Sequence, residues 1–312
     1  MIEFRLSYYI HVYFRHSVKM SVGSQVANGI YDQINDSLKR YPEKPKIKLA
    51  VIQIGNDDAS TIYIKHKRLA CEKLGFEFEL FHFEATVTTD DVLKSVDQIN
   101  KDSRITGYII QLPIPSHLDK YSILNGIDPM KDVDCLHIDN IARLYFGYKS
   151  ARFVPATANG VFLLIRHFSI ETKGKTCVII GKSNIIGKPI HLIMSDESGL
   201  GSTTICCDKY TKDLASFTRM ADILIVAAGK HHLINNLDMI KEGVTIIDVG
   251  IHRIKLDDDK YKIEGDVNYE LVKHKCKLIT PSPGGVGPVT VASLMSNLVK
   301  AHLIQTTTEL KK

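Results

Sequence analysis

Short β-branched apolar runs alternate with stretches of helical period between residues 46 and 302, and this alternation constrains the fold more than any other feature. Lys46–Ile54 (KIKLAVIQI) has the length and composition of a buried strand. Ser60–Leu74 has helical spacing and runs into Gly75, the residue type that most readily ends a helix in a left-handed turn. Glu77–Phe83 alternates as a second strand. Thr88–Asn100 reads as a helix capped by Thr88 or Thr89. Gly107–Leu112 (GYIIQL) is a third strand, stopped by Pro113 and Pro115. Strand, helix and strand in succession predict a parallel sheet, because parallel neighbours need a crossover between them.

The pattern repeats after residue 148. Asn159–Phe168 reads as a linking helix, and Thr176–Ile180 as a strand leading into Gly181. Gly187–Ser195 is a helix with Pro189 in its first turn. Further strands are expected at Thr203–Cys207, Ile223–Ala227, Val244–Val249 and Lys277–Thr280, and Thr290–His302 is a long closing helix. Gly29–Leu38 has helical spacing ahead of the first strand. A chain of 312 residues suits two domains at about 150 residues each. The expected fold is α/β, with two parallel-sheet domains and a cleft between them. One domain takes residues 20–148 plus 289–312, and the other takes 149–288.

Apolar residues form 44% of the chain and charged residues 24%, as in soluble globular proteins. No run approaches the ~18 uninterrupted apolar residues of a membrane span, so no membrane partner is expected. The formal net charge of +5 is spread along the chain, which fits an anionic small ligand or simple solubility and does not point to nucleic acid. The six cysteines have no zinc spacing and read as reduced, mostly buried thiols; no protein-ligated metal is expected. Residues 1–19 carry Arg5, Arg15, Lys19, His11 and His16 against Glu3 alone, among many aromatic and aliphatic residues. They are read as a mitochondrial import sequence. The alternative is an upstream extension of a cytoplasmic protein that starts at Met20.

Several stretches carry chemistry. The turn at 181–189 (GKSNIIGKP) joins a strand to a helix through two glycines, an arrangement that offers backbone N–H groups to phosphate. Its Gly-x5-Gly spacing is not the usual dinucleotide fingerprint, and an ordinary turn has the same ingredients. The next strand ends in Asp208 and Lys209. Asp208 suits a ribose 2′-OH and so NAD; Lys209 with Lys182 suits a phosphate and so NADP. The second domain is accordingly read as Rossmann-like. Ser60, Tyr63 and Lys67 share one helix face, where a hydroxyl, a phenol and an amine can orient a substrate and move a proton; a solvated face has the same spacing. Gln111 ends a buried strand, where α/β sheets bind ligands. Lys131-Asp132-Val133-Asp134 offers two carboxylates, each either a loop cap or a partner for an amino-pyrimidine edge. Pro281–Pro288 (PSPGGVGP) is an irregular, rigid backbone suited to lining a flat ligand.

In order along the chain stand Y-x-x-x-K at 63–67, QLPIP at 111–115, KDVD at 131–134, G-K-S-x-I-x-G-x-P at 181–189, GDV at 265–267 and PSPGGVGPVT at 281–290. Over about residues 20–303 the chain resembles the bifunctional methylenetetrahydrofolate dehydrogenase/methenyltetrahydrofolate cyclohydrolase family. The resemblance implies oxidation of 5,10-methylenetetrahydrofolate by a nicotinamide cofactor, then hydrolysis to 10-formyltetrahydrofolate, in one cleft. By carry-over Lys67 is the proton-transfer residue of hydrolysis, Gln111 positions it, Tyr63 orients the folate ring and Asp134 anchors the pterin amino group. Leu112 and the run Pro283, Gly284, Gly285, Val286 and Gly287 would line the folate site. Gly181, Lys182, Ser183, Gly187, Asp208, Lys209, Gly229, Gly250, Ile251, Thr157 and Thr290 would hold the cofactor, with Ile251 at its nicotinamide end. The first domain would be the catalytic folate-binding one, and the family is usually a homodimer through the cofactor domain.

The chain departs from the family in places. Asp134 is followed by Cys135 where the family has Gly, and residues 155–158 read Pro-Ala-Thr-Ala rather than Pro-Cys-Thr-Pro. These changes motivate a second reading, a folate- or nucleotide-binding relative with one or both activities lost. Lys182 replaces an Arg, and Asp208-Lys209 replaces His-Ser or His-Arg. Two basic residues there resemble the mitochondrial NAD-using branch, in which magnesium and inorganic phosphate replace the 2′-phosphate; that branch has an aspartate where this chain has Gly201. NAD is the expected cofactor, with NADP as the alternative and magnesium with phosphate as added ligands.

Overall fold

The computed structural model describes residues 21–197, 199–256 and 261–309, so the reading of residues 1–19 and of Met20 lies outside the described residues. Helix α1 (Val22–Leu38) begins well before Gly29, because the Ser21 hydroxyl accepts from Ser24 N and caps it. Strand β1 (Lys48–Ile54), helix α2 (Asp58–Leu74), β2 (Glu77–Phe83), α3 (Thr89–Lys101) and β3 (Gly107–Ile110) follow as the periodicity predicts. Asp57 caps α2, and Gly75 ends it at φ 66°. The three strands form a parallel sheet in the order β2-β1-β3. Its central strand is buried on both faces. Leu49 and Val51 face α1, α2 and the last helix, while Ala50 and Ile52 face the core under α3.

Two short helices, α4 (Lys120–Asn125) and α5 (Ile138–Tyr145), precede α6 (Ala156–His167). The second domain holds β4 (Thr176–Ile180), α7 (Gly187–Ser195), β5 (Thr203–Cys207), α8 (Leu214–Thr218), β6 (Ile223–Val226) and β7 (Val244–Asp248). After these come the hairpin β8 (His252–Lys255) and β9 (Tyr261–Glu264), then α9 (Tyr269–Val272) and β10 (Cys276–Ile279). Its five-stranded parallel sheet has the order β10-β7-β6-β4-β5. The periodicity predicts no strand here, since HRIK and YKIE hold no apolar run. Among the described residues no helix is long and apolar enough to cross a membrane.

Helix α10 (Val286–Glu309) begins at Val286, not Thr290. Val286 and Gly287 are therefore its first turn rather than loop, a position that tolerates Pro288 because first-turn N–H groups need no helical partner. Val286 and Val289 pack in the core of the second domain, while Leu294, Met295 and Leu298 pack in that of the first. The Asn297 amide donates to Val133 O and Val154 O, both at 2.8 Å, and fixes the helix against the segment between the domains.

Candidate active site

The Asp57 cap sets the start of α2, and with it the face bearing Ser60, Tyr63 and Lys67. Ser60 is buried, and its hydroxyl donates to Leu112 O at 3.4 Å, which fastens this face to the end of β3. Gln111 N continues the strand ladder to Ile52 O. The Gln111 amide nitrogen donates to Leu112 O at 2.8 Å, so its oxygen is left to accept from Lys67 Nζ at 2.7 Å. Leu112 thus contributes a carbonyl that orients Gln111. Burial lowers the Lys67 amine to about 8, against the opposing pull of the Asp134 charge. Asp134 is itself raised by burial, offset by Lys67 and by a hydrogen bond from the Ala156 backbone at the start of α6. Burial also raises the Tyr63 phenol, which stays neutral.

The two aspartates of KDVD separate in role. Asp132 is fully buried and accepts from Leu136 N, His137 N and Asn140 Nδ2 at 2.8–3.0 Å, so it is a loop cap. Lys131 is spent on Ile99 O and Asp102 O. Only Asp134 bears on Lys67. Cys135 sits at φ 59°, the left-handed conformation that glycine takes most easily, and its thiol packs against Phe153 O. The turn therefore survives the replacement of glycine and still delivers Asp134.

The 281–287 stretch is held from two sides. Ser282 Oγ donates to Gly250 O at 2.7 Å, and Gly23 N of α1 donates to Gly284 O at 2.8 Å. A Cβ on Gly23 would lie 1.9 Å from Gly285 O, so only glycine permits this approach. Ile251 Cδ1 lies 3.7 Å from where a Gly287 Cβ would stand, which brings these two predicted residues together. Arg253 of β8 reaches Asp58 at the start of α2 at 3.4 Å, a contact across the two domains.

Two buried carboxylates that sequence reasoning did not single out assemble the loops at the ends of β6 and β7. Asp248 accepts from Gly250 N, Asp266 N and Val267 N, and burial raises it to about 7. Asp266 accepts from Ala228 N, Gly229 N, Lys230 N and His252 Nε2. The only signal for them was that Asp266 lies inside the GDV motif.

At the same edge of the sheet, after β4, Gly181 has φ 116° beside Ala227, and Gly187 packs directly on it. Ser183 Oγ accepts from Ile186 N and Gly187 N, so its hydroxyl caps α7. Among the described residues the backbone N–H groups of 182–185 find no acceptor in the chain, which fits a bound phosphate at a helix N-terminus. Lys182 Nζ pairs with Asp208 at 3.3 Å, while Lys209 lies over the Tyr210 ring. The two lysines are thus engaged separately. The Tyr210 N–H and Lys182 hold the Asp208 carboxyl below its usual range, so it is charged. Thr157 lies in the first turn of α6, and the Thr290 hydroxyl bonds back to Val286 O where α10 meets α6. The residues do not fit a magnesium–phosphate pair: Gly201 has no ligand, and Asp196 accepts from Tyr148 N to anchor the chain after α5.

Residues 22–134 match the model of the tetrahydrofolate dehydrogenase/cyclohydrolase catalytic domain, and residues 155–306 that of the corresponding NAD(P)-binding domain. A bifunctional protein FolD from Hydrogenobaculum sp. is 40% identical over 280 residues, covering 90% of this chain and 97% of that one. The crystal structure of the bifunctional enzyme FolD from Campylobacter jejuni superposes with a TM-score of 0.83 at 38% identity, over 91% of this chain and 98% of that one. The Trypanosoma brucei enzyme, complexed with NADP and an inhibitor, gives 0.86 at 30% identity, over 94% and 99%. With the Lys67–Gln111 pair at the end of one sheet and the glycine turn at the end of the other, the chain belongs to the tetrahydrofolate dehydrogenase/cyclohydrolase family.

Proposed function

We propose that Lys67 is the proton-transfer group of this chain, a methylenetetrahydrofolate dehydrogenase and methenyltetrahydrofolate cyclohydrolase. The observation that carries the assignment is the hydrogen bond from Lys67 to Gln111 at 2.7 Å, on an amine lowered to about 8 by burial. About one amine in ten is then neutral at pH 7, enough for a general base. The bound nicotinamide cofactor supplies the hydride acceptor for the oxidation. In hydrolysis, the water oxygen bonds to the bridging carbon of the methenyl cation while Lys67 Nζ takes one of its protons. The same ammonium returns that proton to the folate nitrogen as the carbon–nitrogen bond breaks. The remaining hydroxyl proton leaves to solvent as the formyl group forms. A cationic substrate beside Lys67 favours the neutral amine, and Asp134 offsets part of that repulsion. The expected cyclohydrolase rate rises with pH and levels off above about 8, as Lys67 loses its proton. A flat profile through this range would reject the assignment.

NAD is the preferred cofactor in this reading. A charged Asp208 accepts a ribose 2′-OH and repels a 2′-phosphate, and it also neutralises Lys182. Asp208→Asn is expected to raise the NADP-to-NAD ratio of kcat/KM by about tenfold, equivalent to ~1.4 kcal/mol. An unchanged ratio in steady-state assays would remove Asp208 from that role. Pairing of two chains through the cofactor domain rests on the family resemblance, and import of the chain into mitochondria on the basic residues of 1–19.

A further inference from the structure

Just beyond Gly229, three side chains that neither reaction uses converge where the loop after β6 meets the β8–β9 hairpin. His231 Nε2 lies 2.6 Å and His232 Nε2 3.5 Å from the same oxygen of Glu264, Oε2. The possible ligand atoms of the three all lie within 4.8 Å of one another. The other carboxylate oxygen, Oε1, is held by Lys262 at 2.6 Å, which leaves Oε2 to the histidines. A tetrahedral zinc ion with bonds of about 2.0–2.1 Å sets its ligand atoms about 3.3 Å apart, a spacing between the two observed here.

We propose that His231, His232 and Glu264 form a binding site for a divalent transition-metal ion of borderline softness, Zn2+ being the type. Two imidazoles and one carboxylate match the donors of open zinc sites, with water in the fourth position. They do not suit Mg2+ or Ca2+, which take oxygen ligands. The side chains are 35%, 27% and 18% exposed, so an ion can enter and keep a water. The two rings are stacked at 3.8 Å with 23° between their planes, so joint ligation requires them to splay on their side-chain torsions. His252 is not a fourth ligand, because its Nε2 is committed to Asp266 at 2.7 Å. Burial and the neighbouring His231 favour the neutral form of His232, the form that binds a metal. Lys262 is the cation that opposes an incoming ion, and it is 61% exposed, free to swing away from Glu264. A bound ion would tie the loop carrying His231 and His232 to β9, beside the Asp266 cluster that already gathers Ala228, Gly229 and Lys230.

The test is titration of the full chain, stripped with a chelator and kept reduced, with Co2+ followed by visible absorption. The expected result is one equivalent bound with tetrahedral d–d bands and no thiolate charge-transfer band, displaced by Zn2+ and not by Mg2+. His231→Ala/His232→Ala, and separately Glu264→Gln, should weaken that equivalent by at least about tenfold with circular dichroism unchanged. No binding, a thiolate band, or the same affinity in both folded variants would overturn the proposal.

Discussion

Two aspartates separated by one valine do different work. Asp132 is an acceptor for three groups inside the core, and Asp134 sets the charge around Lys67. Asp132→Ala should destabilise the fold by about 3 kcal/mol, since three buried donors lose their acceptor. Urea denaturation measures this directly. Asp134→Asn should leave the denaturation midpoint almost unchanged. Its effect lies in the pH profile: the Asp134 charge raises the Lys67 pKa, so removing it shifts the rise of the cyclohydrolase rate toward lower pH. A shift toward higher pH would show that Asp134 does not act on Lys67 through its charge. The sequence offered both aspartates as cap or anchor with nothing to separate them. What separates them is the left-handed turn at Cys135 and the approach of Ala156 from α6, neither of which is a local property of KDVD. Lys67 and Gln111 were legible from their motifs, although the 2.7 Å contact between residues 44 positions apart is a product of the sheet.

Elements with strong local signals were read well. The mostly apolar, buried β1 and β4, the cap of α3 and the glycine end of α2 stand where periodicity put them. Errors fell where tertiary contacts set a boundary. Helix α1 reaches back to Val22 because Ser21 caps it and Gly23 N is bonded to Gly284 O, and α10 begins at Val286 because that turn packs in the second core. The turn into α7 is equally dependent on close packing. A Cβ on Gly187 would lie 1.9 Å from Gly181 O, so Gly187→Ala must open the turn. The expected outcome is at least a roughly tenfold fall in kcat/KM for the nicotinamide cofactor, with cyclohydrolase activity within about twofold of the parent. Equal loss of both activities would mean that the substitution unfolds the chain rather than reshaping the cofactor turn.

At the scale of the whole molecule, α10 decides how the two sheets stand to each other. Its first turn belongs to one core and its body to the other, and Asn297 bonds the segment that crosses between them. Asn297→Ala leaves two buried carbonyls without their donor and should cost about 2–3 kcal/mol of stability, read as a lower midpoint in chemical denaturation. Two α/β domains were legible from the alternation of strands and helices; the shared helix was not, since an apolar helix gives no sign of which core it fills. The 281–287 stretch meets the Gly250–Ile251 turn, and Arg253 of β8 reaches Asp58 at the start of α2, so both domains meet near the face that bears Lys67, where the proposed function sets both reactions. The measurement that tests this most directly is a parallel assay of Lys67→Met for cyclohydrolase activity and for binding of tetrahydrofolate. Hydrolysis should fall by roughly a hundredfold to ten-thousandfold while tetrahydrofolate still binds. Hydrolysis persisting near the parent rate would contradict the role of Lys67.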